Sequence, residues 1–272
     1  DPQDALELIF KYIPQAPFWP QLPKRGIREG MVEQYSEAMP GLRMTDDGLM
    51  FDSKAAEQDL EPFYEHIISR DAAYFKISEA YSAGFYLFVE MLKKKSLEDV
   101  RFLKCQVTGP FTFAASVKNE QGTALLHDDI FMQAMAKGLV MKAQWQIELL
   151  RQFKKPLILF IDEPFLGAFG SAYTALTRET ALSVLSEFTA ALKAPDVMIG
   201  VHCCGNTDWS ILTDTPSVDI INFDAFSYLD KFTLYAQDLK GFFSRGGHLC
   251  WGIVPTQDLQ EGITPESLYA HV

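Results

Sequence analysis

The chain has 272 residues, of which 48% are hydrophobic, and a formal net charge of −12. This length and composition allow one large domain with a sizeable core. The negative charge and the lack of any basic run argue against a nucleic acid or an anionic membrane as a partner.

The four cysteines are too few for a disulfide framework in a chain of this length. The sequence shows no signal peptide and no uninterrupted apolar stretch long enough to cross a bilayer. These features predict a reduced, soluble, cytoplasmic protein.

Helical and strand patterns alternate along the chain, which is typical of α/β units around a parallel sheet. Six short apolar segments followed by Gly, Pro, Asn or Asp are predicted strands: 17–22, 102–109, 157–164, 198–204, 220–226 and 248–255. Amphipathic patterns predict helices over 5–13, 60–92, 130–153, 179–193 and 231–243. The segment 42–52, with a DDG turn at 46–48, predicts an inserted hairpin.

The two ends of the chain suggest that the strand count is incomplete. A helix starts near residue 4 with no strand before it, and Thr264-Pro265-Glu266 starts a helix that has only six further residues. We expect one strand to be missing on each side, which with the six predicted strands makes the eight of a (β/α)8 TIM barrel. The expectation is therefore a single TIM-barrel domain over 1–272. An open doubly wound sheet is the alternative, but no G-x-G-x-x-G fingerprint follows a predicted strand.

The most informative motif is IGVHCCGN at 199–206. Side chains alternate along a strand, so His202 and Cys204 should point the same way and could reach one ion. Imidazole nitrogen and thiolate sulfur are donors that Zn²⁺ prefers, which predicts a zinc site. The structural alternative is a buried apolar cysteine beside a hydrogen-bonded histidine.

In a barrel, active groups gather at the carboxyl ends of the strands, where most polar residues of the predicted strands lie. Asp162 and Glu163 are candidate catalytic carboxylates that should lie on opposite faces, although either could instead cap a helix. Asp224 could supply an oxygen ligand to the metal or orient His202. The predicted substrate contacts are Gln21, Gln106, Thr108 and Asn222.

The motifs QVTGP, IDEP, HCCGN and VDIINFDAF occur in this order at successive strand ends. Together they resemble the superfamily that joins cobalamin-independent methionine synthase, uroporphyrinogen decarboxylase and the corrinoid-dependent methyltransferases. The resemblance covers most of the chain. Its most specific element is the His-x-Cys pair followed by Gly-Asn, which is similar to the zinc site of the methyltransferases.

The resemblance implies that His202 and Cys204 match the first two zinc ligands of the family. Asp224 matches a carboxylate ligand on the following strand, with aspartate in place of the usual glutamate. Asp162 and Glu163 match a substrate-binding motif. The family's last cysteine ligand lies on the eighth strand, beyond residue 272, which leaves Cys250 as a substitute ligand one strand earlier.

The implied function is transfer of a methyl group to a zinc-activated thiol, from a methylated corrinoid or a folate-type donor. The partners would be a small-molecule thiol and the methyl donor, with a corrinoid protein as one form of that donor. Two alternatives stay open: a metal-free decarboxylase similar to uroporphyrinogen decarboxylase, which would use Lys24 and Arg25, and a barrel of the same fold without catalysis.

Overall fold

The computed structural model describes residues 1–46, 48–171, 174, 176–255 and 262–270. The chain divides into two compact units, one formed by 1–160 with 194–198 and the other by 161–193 with 199–272. Within the described residues, no helix is both long enough and apolar enough to cross a membrane. The expectation of a single domain stays a prediction.

Five strands form one sheet: β3 (Leu103–Thr108), β4 (Leu157–Asp162), β5 (Val197–Cys203), β6 (Ile220–Phe223) and β7 (His248–Trp251). They lie side by side in the order β3-β4-β5-β6-β7, and β5, β6 and β7 pair in parallel. Five of the six predicted strands are thus confirmed, each within a few residues of its predicted ends. An α/β fold follows, whereas closure into an eight-stranded barrel stays a prediction.

The first predicted strand, 17–22, is reduced to a single parallel bridge between Phe18 and Lys104. The amide of Lys104 donates to the carbonyl of Pro17 at 3.0 Å. Pro17 and Pro20 flank the bridge, and proline has no N–H to donate. The ladder therefore cannot extend along this segment.

The predicted hairpin is confirmed. The strands β1 (Leu42–Thr45) and β2 (Gly48–Phe51) pair antiparallel, with Leu42 opposite Phe51. Asp47, the centre of the predicted turn, lies outside the described residues.

Helices alternate with the strands of the sheet along the chain, and several begin at side chains that cap them. Asp128 and Thr177 each accept a hydrogen bond from a backbone N–H of the first turn that would otherwise lack a partner. The helices are α1 (Pro2–Tyr12), α2 (Ser53–Ile68), α3 (Ala83–Lys94), α4 (Pro110–Ser116), α5 (Asp129–Leu150), α6 (Arg178–Leu192), α7 (Ser210–Asp214), α8 (Ala225–Phe232), α9 (Ala236–Ser244) and α10 (Pro265–Tyr269).

One predicted helix is wrong in its extent. The pattern over 60–92 predicts one continuous helix, but the structure has α2 and α3 with an irregular connection. Arg70 has φ of 54°, in the left-handed region, which ends a right-handed helix. Similarly, the predicted helix over 231–243 is divided between α8 and α9.

Candidate metal and thiol site

Strand β5 delivers the candidate ligands to its carboxyl end. Ile199, Val201 and Cys203 are fully buried, whereas His202 is partly exposed. The strand ends at Cys203, and Cys204 follows in a bend with an exposed side chain. The alternation therefore sends three apolar side chains into the core and leaves the candidate ligands at the accessible side.

His202 and Cys204 converge as the spacing predicts, since each side chain shifts the pKa of the other. The imidazole of His202 is the main cause that lowers the pKa of the Cys204 thiol, against the opposing effects of partial burial and the charge of Asp224. Burial alone would lower the pKa of His202. Cys204, the charge of Asp162 and a hydrogen bond to Asn222 outweigh burial and raise the pKa of His202. Each member of the pair thus favours the charged form of the other.

Asn222 connects this pair to the next two strands. His202, Asn222 and Cys250 are aligned in register across β5, β6 and β7. The His202 Nδ1 lies 2.6 Å from the Asn222 Oδ1, and the Asn222 Nδ2 donates to the Cys250 carbonyl at 2.7 Å. The amide predicted to contact substrate therefore holds the imidazole ring.

The adjacent carboxylates Asp162 and Glu163 act on different neighbours, as expected for opposite faces of a strand. The charge of Asp162 acts on His202, and that of Glu163 acts on Cys203. Glu163 is fully buried, and its amide donates to the His202 carbonyl at 2.8 Å. Asp162 is therefore the carboxylate associated with the candidate site.

Asp224 caps helix α8 by accepting a hydrogen bond from the Ser227 amide at 3.0 Å. Its charge reaches Cys204, where it disfavours the thiolate. The side chain that orients His202 is that of Asn222 and not that of Asp224, for which the sequence analysis considered this role.

Two glycines bring the turns after β4 and β5 together. A Cβ on Gly205 would lie 3.0 Å from the Cα of Gly167. The Cys203 thiol donates to the Gly205 carbonyl at 3.5 Å. This contact fixes the bend that carries Cys204.

Neither a protein-family model nor a curated protein matches this chain.

The donor set for a metal is incomplete among the described residues, which contain no group of three or more His, Cys, Asp or Glu side chains placed to hold a metal ion. Cys250 is separated from His202 by the intervening strand β6, and neighbouring strands lie about 4.8 Å apart. Two converging donors, His202 and Cys204, are what this site provides.

The other three predicted substrate contacts belong to the first unit, where each is hydrogen bonded internally. Gln21 donates to Gln34 at 3.0 Å, and the buried Gln106 donates to the Trp19 carbonyl at 3.1 Å. Thr108 is fully buried and donates to the Met31 carbonyl. These bonds stabilise the packing of the unit, and contact with substrate stays a prediction.

Lys24 and Arg25 are the basic residues that a decarboxylase would use, and they lie on a short 3-10 helix, Pro23–Arg25. The Arg25 guanidinium forms an ion pair with Glu29 at 2.7 Å. Its charge is therefore already compensated within the chain.

Sequence reasoning did not identify the bond between Asn222 and His202 or the contact between Gly167 and Gly205. A signal for the first was available in the sequence. His202 and Asn222 each lie one residue before the end of their strands, β5 and β6. The second depends on how two turns meet, for which the sequence has no local signal.

Proposed function

We propose that this protein is a zinc-dependent methyltransferase that methylates a thiol, taking the methyl group from a methylated corrinoid or a folate-type donor. The observation that carries the proposal is the convergence of His202 and Cys204 at the carboxyl end of β5. We also propose that the five strands belong to a single (β/α)8 barrel, in which this end is the catalytic face.

Two of the donors that a zinc site needs are present. Imidazole nitrogen and thiolate sulfur are preferred zinc donors, and a lowered thiol pKa favours the thiolate form in which Cys204 would bind. His202 and Cys204 would hold the ion, with Asp224 and Cys250 as the remaining candidate ligands. When bound, zinc keeps an acceptor thiol in its thiolate form at neutral pH.

In the reaction that we propose, the acceptor sulfur forms a bond to the methyl carbon while the bond between that carbon and the donor breaks. The electron pair of the broken bond leaves with the donor, and the thiol proton passes to solvent. The charge of Asp162 and the amide of Asn222 act on His202 and would hold its ring in place. Cytoplasmic localisation belongs to the same proposal, since a thiolate ligand requires reduced cysteine.

One observation favours a second candidate function. The thiol of Cys204, the imidazole of His202 and the amide of Asn222 follow one another, which is the composition of cysteine-nucleophile sites. In that case Cys204 itself would be alkylated or acylated, and zinc would be unnecessary.

Metal content of freshly purified protein tests the first proposal. We expect near-stoichiometric zinc in the natural protein and its loss in both His202→Ala and Cys204→Ala. His248→Ala, which removes an exposed histidine from β7, is the matched control and should keep the metal. Loss of zinc in Cys250→Ala would identify a third ligand.

Folded natural protein without zinc would contradict the proposal and favour the decarboxylase or the non-catalytic barrel. A covalent adduct on Cys204 in zinc-free protein would instead favour the cysteine nucleophile. Incubation of the zinc-loaded protein with methylcobalamin and a panel of small thiols, followed by mass spectrometry, tests methyl transfer directly.

A further inference from the structure

Both ends of the Asn222 side-chain amide are occupied, and this fixes which way the amide points. A backbone carbonyl can only accept a hydrogen bond, so the group 2.7 Å from the Cys250 carbonyl must be the NH2 of Asn222. The amide oxygen consequently faces His202.

The orientation of the amide determines the proton on the imidazole. The Asn222 Oδ1 lies 2.6 Å from the His202 Nδ1, and an amide oxygen cannot donate. The hydrogen of this bond must therefore reside on Nδ1. In the neutral ring, which carries one N–H, Nε2 then has the lone pair, which can accept a hydrogen bond or bind a metal ion.

We propose that Asn222 is a positioning residue that fixes His202 in the tautomer protonated at Nδ1, and so makes Nε2 the atom that binds a metal ion. The alignment of His202, Asn222 and Cys250 across three parallel strands supports this role, because the acceptor that anchors the amide belongs to the backbone of the sheet. The consequence for zinc rests on the proposed function, whereas the tautomer does not.

Nitrogen NMR of the His202 ring measures the tautomer directly. The spectra are recorded on metal-free ¹⁵N-labelled protein over a rising pH series until the His202 signals stop changing, because the pKa of His202 is raised and a tautomer is defined only in the neutral ring. Cys204→Ala serves as the background because it removes the thiol that also acts on the ring. The His202 signals are assigned by their loss in His202→Ala.

We expect the Nδ1–H form in the Cys204→Ala protein and a shift to the Nε2–H form when Asn222→Ala is added. Asn222→Asp is the matched variant, since a carboxylate still accepts from Nδ1 and should preserve the Nδ1–H form. An Nε2–H form with Asn222 present would overturn the proposal, even if the Asn222→Ala protein does not fold. An unchanged tautomer in folded Asn222→Ala would also overturn it.

Zinc affinity of the protein with Cys204 intact provides the second measurement. Removal of a hydrogen-bond partner behind a metal-binding histidine costs about 10-fold to 100-fold in affinity, and we expect Asn222→Ala to weaken zinc binding by this factor. Natural protein that binds no zinc but shows the Nδ1–H form would contradict the proposed function and leave the role of Asn222 supported.

Discussion

At the scale of single residues, the surroundings of three cysteines give them different chemistry. Cys105 and Cys203 are buried, and burial raises the pKa of each thiol to about 12. Cys204 is exposed, and His202 lowers the pKa of its thiol. Because the thiolate is the reactive species, Cys204 should react much faster than the two buried cysteines.

We predict that iodoacetamide modifies Cys204 before Cys105 and Cys203 in metal-free protein. A lowered pKa keeps part of the thiol ionised at a pH where an ordinary cysteine is protonated, so the rate at Cys204 should rise at a lower pH than for a cysteine of ordinary pKa. His202→Ala should slow modification of Cys204 at neutral pH by roughly tenfold. Peptide mapping by mass spectrometry over a pH series measures both rates.

The control for this experiment is His248→Ala, which should leave the rate at Cys204 unchanged. Faster modification of Cys105 or Cys203, or a Cys204 rate that does not depend on His202, would show that His202 does not favour the Cys204 thiolate.

At the scale of elements, the placement of Cys204 depends on the close approach of two turns. Gly205 and Gly167 meet backbone to backbone, and the Cys203 thiol donates to the Gly205 carbonyl. An added methyl group at Gly205 would have to displace main-chain atoms, which are less able to yield than the end of a flexible side chain.

We predict that Gly205→Ala lowers the free energy of unfolding by about 1–3 kcal/mol, the usual cost of overpacking. The same substitution should weaken zinc binding, since it displaces the bend that carries Cys204. Urea denaturation and zinc titration measure the two effects.

Gly241 provides a matched comparison, because a Cβ there would meet no heavy atom within 4 Å and the residue lies inside helix α9. Gly241→Ala should stabilise the protein by up to about 1 kcal/mol. Equal effects of the two substitutions would contradict the importance of the glycine contact.

At the scale of the whole molecule, a buried lysine connects stability to pH. Lys142 on α5 is fully buried and donates to the Phe75 carbonyl at 3.5 Å. Burial lowers its pKa from 10.5 to about 7, although the charge of Glu37 opposes this shift. Between these two values the unfolded chain binds a proton that the folded protein does not.

We predict that the stability of the natural protein relative to Lys142→Met rises as pH increases from about 7 to about 10.5. Because the unfolded state holds the extra proton in this range, raising the pH removes a penalty on folding. The total change should be a few kcal/mol, with about 5 kcal/mol as an upper bound. Urea denaturation of both proteins over a pH series measures the difference.

Lys240→Met, at an exposed position of α9, should show no such pH-dependent difference from the natural protein. Parallel pH profiles for the natural protein and Lys142→Met would mean that Lys142 keeps its proton in the folded state.

The sequence alone determined most of the strands and the convergence of the candidate ligands. Apolar runs such as 157–164 and 198–204 predict buried strands because both faces of a parallel sheet are covered, and the structure has strands over 157–162 and 197–203. The spacing of His202 and Cys204 predicts a common direction because side chains alternate along a strand. These are local properties, fixed by the backbone geometry of a few residues.

Only the tertiary structure decided which groups surround this pair. The register of β5 against β6 places Asn222, and not Asp224, beside the ring of His202. The interruption at Arg70 and the meeting of Gly167 with Gly205 likewise have no local signal. Each depends on contacts between segments distant in sequence, and the energy of such contacts is set by packing that no single segment encodes.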